Sequence, residues 1–150
     1  MSAPQYYEDF TAGQTFTSRS ERVTRERIVT FAAEFDPQPQ HLDEGAARGS
    51  MFGELVASGW HTAALTMRLQ VEAMMGAIPG GAMGARVDSL AWSQPVRPGD
   101  ELRAMVEVLD TRLSRSRPDR GLLMLRTTTL NQRDEAVQVM SAAVLVPRRS

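Results

Sequence analysis

The sequence predicts an α+β fold in which a curved antiparallel sheet of about five strands wraps one long helix. Two features carry this expectation. Residues 60–75 form a largely apolar segment behind a capping residue, Ser58, and the apolar side chains are spread around the whole helical wheel. From residue 83 onward, apolar and polar residues alternate in runs that turn residues separate, as in antiparallel strands. Apolar residues around the whole wheel predict a helix that is buried on most sides, so another element has to wrap around it.

Local patterns predict the remaining elements. Residues 1–13 contain three aromatic side chains and are expected to pack as an arm on the domain, and residues 14–23 alternate and are interpreted as the first strand. One helix is predicted to end at Phe35 and a short one to cover residues 44–48. Three residues are predicted helix N-caps: Thr24, Asp43 and Ser58. The first helix should bury the side chains of Ile28, Phe31, Ala32 and Phe35. Four later strands are predicted at 85–92, 101–113, 121–131 and 136–147.

Length and composition predict a single domain over residues 1–150, since 42% of the chain is hydrophobic. A formal net charge of -1 gives no electrostatic reason to expect nucleic acid or a membrane as partner, so a small molecule is expected. There is no cysteine, and the histidines are His41 and His61, so neither a metal site nor a cofactor is expected. Without a signal sequence or an apolar run of ~18 residues, a cytoplasmic location is expected.

Two X-Pro steps shape the segment after the first helix. Pro37 and Pro39 disfavour helical angles at the residues before them, which predicts a stiff loop between Asp36 and His41. Fully extended, this loop would separate those two residues by roughly 16 Å, so it has to fold back if they are to share one water.

Asp36 and His41 are candidate catalytic residues. A carboxylate beside an imidazole can hold a water and move protons near neutral pH, because histidine titrates near ~6.5. That is chemistry for adding or removing water. In the structural alternative, Asp36 closes a turn and His41 is an ordinary hydrogen-bonded surface group.

The predicted start of the long helix is a second candidate site. Ser58 and Gly59 stand where backbone N–H groups are unsatisfied and the helix dipole is positive, so an oxygen that gains negative charge is stabilised there. A glycine lets a substrate carbonyl approach its N–H, as an oxyanion hole requires. The alternative is an ordinary N-cap followed by a packing glycine. His61 is expected to cap or pack rather than to react.

Four segments together resemble the MaoC-like dehydratase family, which includes the (R)-specific enoyl-CoA hydratases. They are Tyr7-Glu8-Asp9-Phe10, Asp36-x-x-Pro39-x-His41-x-Asp43, Leu55-Val56-Ala57-Ser58-Gly59-Trp60 and Pro95-Val96-Arg97-Pro98-Gly99-Asp100. The resemblance implies a hotdog fold and dimers with the active site near the subunit boundary. It also implies that Asp36 and His41 are catalytic and that the Gly59 N–H binds the carbonyl. Gln38 stands where the family usually has asparagine, and Ala63, Ala64 and Met67 stand where hydratases tend to place a serine.

The activity expected from these residues and this resemblance is reversible hydration of a trans-2-enoyl-CoA to a 3-hydroxyacyl-CoA, without metal or redox cofactor, in fatty acid metabolism. A homodimer or a dimer of dimers is expected, because pairing hides an open sheet edge. One alternative is a hotdog thioesterase, which works with a carboxylate on or beside the central helix, whereas this helix has no acid from Ser58 until Glu72. The other is a non-catalytic acyl-CoA-binding subunit.

Four arginines surround the turn at Pro118 and Asp119: Arg112, Arg115, Arg117 and Arg120. Guanidinium groups bind phosphates well, so this hairpin is a candidate for the phosphates of coenzyme A. All 17 basic residues of the chain are arginine, however, and a solvated hairpin is the simpler interpretation.

Overall fold

The computed structural model describes residues 3–150 and contains an antiparallel sheet of six strands. Their bounds are β1 (Thr15–Thr17), β2 (Glu21–Arg22), β3 (Met83–Trp92), β4 (Glu101–Leu113), β5 (Arg120–Leu130) and β6 (Ala136–Pro147). The strand order is β1-β4-β5-β6-β3, and β2 pairs with the beginning of β4. Strand β3 is therefore an edge with one neighbour, β6.

The helices are α1 (Arg25–Phe35), α2 (Pro39–Leu42), α3 (Glu44–Arg48) and α4 (Gly59–Gln70), which continues as a π-helical segment, Val71–Met75. The three predicted caps are confirmed. Thr24, Asp43 and Ser58 accept hydrogen bonds from the backbone N–H groups of Arg27, Ala46 and Trp60, at 3.2, 2.8 and 3.2 Å. The combination of a central helix and an antiparallel sheet confirms the predicted α+β fold.

Most strand predictions are confirmed, and the first one is wrong. The strands at 101–113 and 136–147 have the expected bounds, whereas residues 14–23 form β1 and β2 instead of one strand. The interruption lies at Ser18, whose hydroxyl accepts the Ala104 N–H at 2.8 Å and donates to the Arg19 carbonyl at 2.7 Å. This side chain replaces a backbone partner of the ladder, so regular pairing stops there.

Alternation along the strands builds the inner face of the sheet. In β4, the residues at every second position are buried: Leu102, Ala104, Val106 and Val108. A register shift between Val108 and Asp110 marks a bulge in β4, and β3 has two such shifts against β6. Bulges bend strands and increase their twist, which curves the sheet around α4.

Helix α4 packs one side against this inner face. Its buried residues are His61, Thr62, Leu65, Thr66, Leu69 and Gln70. Two polar contacts cross to β5: the Thr66 and Thr129 hydroxyls are 2.7 Å apart, and Thr127 donates to Gln70 Oε1 at 2.6 Å. These polar groups are buried and hydrogen-bonded, as a core requires.

The expectation that the long helix is buried on most sides is wrong for the single chain. Trp60, Met67 and Val71 are 57%, 42% and 40% exposed and form an apolar stripe on the outer side of α4. The sheet covers one side of the helix, so apolar residues on the other side remain at the surface. Phe35, expected in the core, is also exposed, because it lies at the last turn of α1.

The N-terminal arm packs as expected within the described part of the chain, although residues 1 and 2 of the predicted arm lie outside it. Phe10 is buried, and the ring of Tyr7 lies against Gly121 of β5. None of the helices between residues 3 and 150 combines the length and apolar character that crossing a bilayer requires.

We expect Gly121→Ala to lower stability by about 1–3 kcal/mol, because the added methyl group would overlap the Tyr7 ring. Gly76→Ala is the matched control, since a Cβ there would meet its nearest atom, the Val71 carbonyl oxygen, at 3.5 Å. The measurement is the thermal midpoint of each variant. Combining Gly121→Ala with Tyr7→Ala should cost less than the sum of the single changes, and strict additivity would contradict the contact.

Candidate active site

The loop after α1 folds back within one helical turn. Pro39 occupies the first turn of α2, where its fixed φ angle suits a helix start and its missing N–H leaves no donor unsatisfied. The turn brings His41 Nε2 to 3.5 Å from Asp36 Oδ2. The structure therefore brings together the two side chains that a shared water requires.

Hydrogen bonds hold both oxygens of the Asp36 carboxylate. Ser58 Oγ donates to Oδ2 at 2.6 Å, and Gln38 Nε2 donates to Oδ1 at 2.7 Å. The Ser58 bond, with smaller contributions from Gln38 and from the charge of His41, lowers the pKa of Asp36 although partial burial opposes the shift. The carboxylate is ionised at neutral pH.

The backbone determines the tautomer of His41. Its Nδ1 lies 2.7 Å from the carbonyl oxygen of Val56. Because a carbonyl only accepts, Nδ1 carries the hydrogen, and the neutral ring has its free lone pair on Nε2. His41 Nε2 and Asp36 Oδ2 are then two neighbouring acceptors to which one water molecule can donate both of its protons.

Gly59 is the first residue of α4, as expected, and its N–H has no hydrogen-bond acceptor among residues 3–150. A Cβ on this residue would stand 2.6 Å from Cε2 of Trp92, so the indole requires a glycine here. The Trp92 Nε1–H donates to Gln138 Oε1 at 2.9 Å, which anchors the ring. The space beside the Gly59 Cα that was expected for a substrate carbonyl is thus occupied by Trp92, whereas the N–H stays free.

A cavity of about 400 Å³ connects these groups and has the size of a small-molecule site. Asp36, His41 and Gly59 all line it. Its apolar walls come from Phe52, Val56, Trp60, Trp92 and Val96. An ionised carboxylate, an imidazole and a glycine with a free backbone N–H therefore line one partly apolar space.

Sequence reasoning missed three contacts of this site. Ser58 was expected as a helix cap at the second candidate site but not as a partner of Asp36, Gln38 was noted only as a departure from a family pattern, and Trp92 was not considered. Ser58 lies 22 residues from Asp36, and Trp92 lies 46 residues from Gln138. No local signal predicts pairings at such separations, whereas Gln38 lies only two residues from Asp36 and its amide could have been considered as a partner.

His61 lies outside the cavity and packs, as expected. Its ring stacks on Phe31 with a centroid distance of 4.9 Å and an interplanar angle of 11°. Its Nδ1 is buried without a hydrogen-bond partner in the described part of the chain. Burial, helped by the charge of Arg27, lowers the pKa of His61 to about 4.

The arginine hairpin lies at the other end of the sheet within one chain. Thr129 of β5 pairs with Gln138, the anchor of Trp92, whereas Gly121 of the same strand pairs with Val146. At about 3.3 Å per residue, roughly 26 Å of strand separates the two levels. Binding of coenzyme A phosphates by this hairpin stays a prediction.

Within residues 3–150, no cluster of three or more His, Cys, Asp or Glu side chains is arranged to hold a metal ion.

Comparison with known proteins agrees with this fold. The chain is similar to the uncharacterized protein YdeM of Bacillus subtilis (strain 168), with 36% identity over 94% of this chain and 98% of YdeM. It is 30% identical to an (R)-specific enoyl-CoA hydratase of Rhodospirillum rubrum over 96% of this chain and 93% of the hydratase.

Solved structures are similar over nearly the whole chain. A crystal structure of a MaoC-like dehydratase from Rhodospirillum rubrum superposes with a TM-score of 0.91 at 50% identity, covering 97% of this chain and 99% of the other. A Mycobacterium tuberculosis protein with a double hotdog fold has a TM-score of 0.74 at 19% identity, covering 97% of this chain and 45% of its own. The fold is a hotdog fold, which confirms the expectation.

Residues 9–124 match the family model described as MaoC like domain. The chain therefore belongs to the MaoC-like dehydratase family. The resemblance in the sequence is confirmed.

Acid should destabilise the protein through His61. Because its folded pKa of about 4 lies below the ordinary 6.5, the unfolded chain binds an extra proton between these values, and stability falls as the pH is lowered. The free energy of unfolding is not reduced by His61 well above pH 6.5. It falls by about 3 kcal/mol by pH 4, at ~1.4 kcal/mol per pKa unit. Denaturant unfolding at about pH 7 and about pH 5 measures the loss.

The control for this prediction is His61→Phe, which keeps an aromatic ring on Phe31 but removes the titrating group. It should lose less stability than the wild-type protein over the same pH interval. Equal losses in both proteins would contradict the role of His61.

Proposed function

We propose that this protein catalyses the reversible hydration of a trans-2-enoyl-CoA to a 3-hydroxyacyl-CoA. The observation that carries the proposal is the pair of acceptors, Asp36 Oδ2 and His41 Nε2, 3.5 Å apart and lining the same cavity as the free N–H of Gly59. Membership of a dehydratase family and similarity to an enoyl-CoA hydratase support it.

In this mechanism, Asp36 and His41 orient one water by accepting its two hydrogen bonds. The water oxygen forms a bond to C3 of the enoyl group while one of its protons passes to the pair, and a proton from the pair is delivered to C2. The thioester oxygen gains enolate character during the addition, and the Gly59 N–H at the positive end of α4 stabilises it. Dehydration is the same path in reverse.

The thioesterase alternative lacks its expected carboxylate. Helix α4 carries no acid, and Glu72, the first one beyond it, is bound by Arg19 at 2.8 Å and does not line the cavity. The cavity acid is Asp36, whose two oxygens are held beside an imidazole, an arrangement that suits a shared water. The non-catalytic alternative predicts that the protein binds an acyl-CoA without converting it, which an assay with crotonyl-CoA can test.

An assay with crotonyl-CoA as substrate distinguishes the three functions. Loss of the enoyl absorbance means hydration, release of free thiol means hydrolysis, and measurable binding with neither change means a non-catalytic binder. We expect the first outcome, and either of the other two would overturn the proposal.

Asp36→Asn and His41→Ala should each lower turnover of crotonyl-CoA by roughly 10²–10⁴-fold, because both groups act on one water. The double variant should be little worse than either single one. Matched controls are Asp119→Asn, an exposed carboxylate on the β4–β5 hairpin, and His61→Phe, and both should keep normal turnover. Near-normal activity in a folded Asp36→Asn or His41→Ala protein would remove that residue from the mechanism.

Gly59→Ala should lower both turnover and the thermal midpoint, because the methyl group collides with the Trp92 indole. Combining it with Trp92→Ala makes room for the methyl group and should recover stability. If the Gly59 N–H is the oxyanion donor, the methyl group still stands beside the place where the thioester oxygen approaches, and the double variant stays about 10²-fold below Trp92→Ala alone in turnover. A double variant that is stable and about as active as Trp92→Ala alone would reject the oxyanion role.

We also propose that the protein forms a homodimer, or a dimer of dimers, through β3 and the outer stripe of α4. On the side opposite β6, β3 has no neighbouring strand among the described residues. Trp92 at the end of β3 contacts Trp60 of the stripe, with ring centroids 5.2 Å apart. An unpaired edge beside an apolar stripe is a surface that a second copy can cover by two-fold symmetry.

Light scattering should give the mass of two or four chains, and a monomeric mass at micromolar concentration would contradict the homodimer. Met67→Glu should shift the protein towards monomer, because it places a charge in the stripe. Met105→Glu is the matched control: Met105 is 40% exposed, close to the 42% of Met67, but it lies on β4, outside the stripe. Equal masses for the two variants would place the interface elsewhere.

A single domain over residues 1–150, a cytoplasmic location and a role in fatty acid metabolism stay predictions from the sequence.

A further inference from the structure

Ser58 connects the two halves of the candidate site. Its side chain is completely buried, and its Oγ lies at the start of α4, 2.6 Å from Asp36 Oδ2 on the loop after α1. The same oxygen accepts the Trp60 N–H at 3.2 Å. Since the backbone N–H occupies a lone pair of the hydroxyl, the hydroxyl proton is free to be donated, and the carboxylate is the partner that receives it.

The groups around Asp36 indicate what the Ser58 hydroxyl does for its carboxylate. Of the residues that line the cavity, Asp36 and His41 are the titratable ones. Gln38, which also lines it, and the buried Ser58 are neutral donors to the two carboxylate oxygens. A proton on Oδ2 would have to displace the Ser58 hydrogen bond, and the positive end of α4 also favours the ionised form.

We propose that Ser58 is a positioning residue that keeps the Asp36 carboxylate ionised and oriented towards His41, and thereby sets the lowest pH at which the site works. The role in catalysis rests on the proposed hydratase function, whereas the effect on Asp36 does not. The serine acts through Asp36 and does not itself touch the substrate.

Removal of the hydroxyl should raise the pKa of Asp36 by about one unit or more, since a charge-assisted hydrogen bond is lost. NMR titration of the side-chain carboxyl carbons measures this without substrate, and Asp36→Asn identifies the signal. The Asp36 signal should titrate at higher pH in Ser58→Ala than in the wild-type protein. An unchanged titration would show that Ser58 is only a helix cap and would overturn the proposal.

Three further variants distinguish the effect of the Ser58 hydroxyl on Asp36 from its effect as a helix cap. Ser58→Thr keeps a hydroxyl and should titrate like wild type. Ser58→Gly removes the hydroxyl but remains a good N-cap residue, so it reports on the same question if Ser58→Ala does not fold. Thr24→Ala removes the cap of α1 without touching Asp36 and should leave the Asp36 titration unchanged. A shift in Thr24→Ala equal to that in Ser58→Ala would assign the effect to lost helix capping and overturn the proposal.

The pH dependence of crotonyl-CoA hydration supplies the second readout. The acid limb of kcat/KM should move to higher pH in Ser58→Ala by the same interval as the Asp36 titration and return in Ser58→Thr. A shifted titration in a protein that hydrates no enoyl-CoA would support the Ser58 role and reject the proposed function. Active enzymes with identical titrations and acid limbs would reject the Ser58 role alone.

Discussion

The contact between α4 and the inner face of the sheet determines where the rest of the structure lies. Apolar packing alone tolerates sliding and rotation of a helix, but two polar contacts accompany it here. The Thr66–Thr129 and Gln70–Thr127 hydrogen bonds are buried and directional, so they fix both the rotation and the axial position of α4. The N-terminus of the helix is thereby placed relative to β5 and β6, and the candidate site is built at that end.

Two loops converge on this helix start, and each bond that joins them also satisfies a buried polar group. The Ser58 hydroxyl is shared between the Trp60 N–H and Asp36, and the Val56 carbonyl accepts from His41. The Val56 N–H in turn donates to the Gln40 carbonyl at 3.1 Å. The same contacts that stabilise the loops therefore orient the carboxylate and select the imidazole tautomer, so stability and chemistry depend on one set of bonds.

Glycine at position 59 meets two separate demands. The Trp92 indole approaches so closely that any side chain would collide with it, and the residue also lines the cavity. Trp92 is itself held by Gln138 and contacts Trp60 on the outer stripe of α4. The wall of the cavity is thus continuous with the apolar surface that we propose a second copy covers.

Local patterns in the sequence predict most of the elements and the candidate residues. Strand alternation, the N-caps at Thr24, Asp43 and Ser58 and the proline steps are local patterns, because hydrogen bonds within a few residues and side-chain period decide them. The chemistry and position of Asp36, His41 and Gly59 made them candidates, and the family resemblance implied the same three. The tertiary contacts, in contrast, show that Ser18 divides the first strand, that one side of α4 stays exposed, that Ser58 binds Asp36 and that Trp92 lines the site. Each of these depends on a partner far along the chain, such as Ala104, Asp36 or Gln138, and the folded backbone alone brings such partners within hydrogen-bond distance.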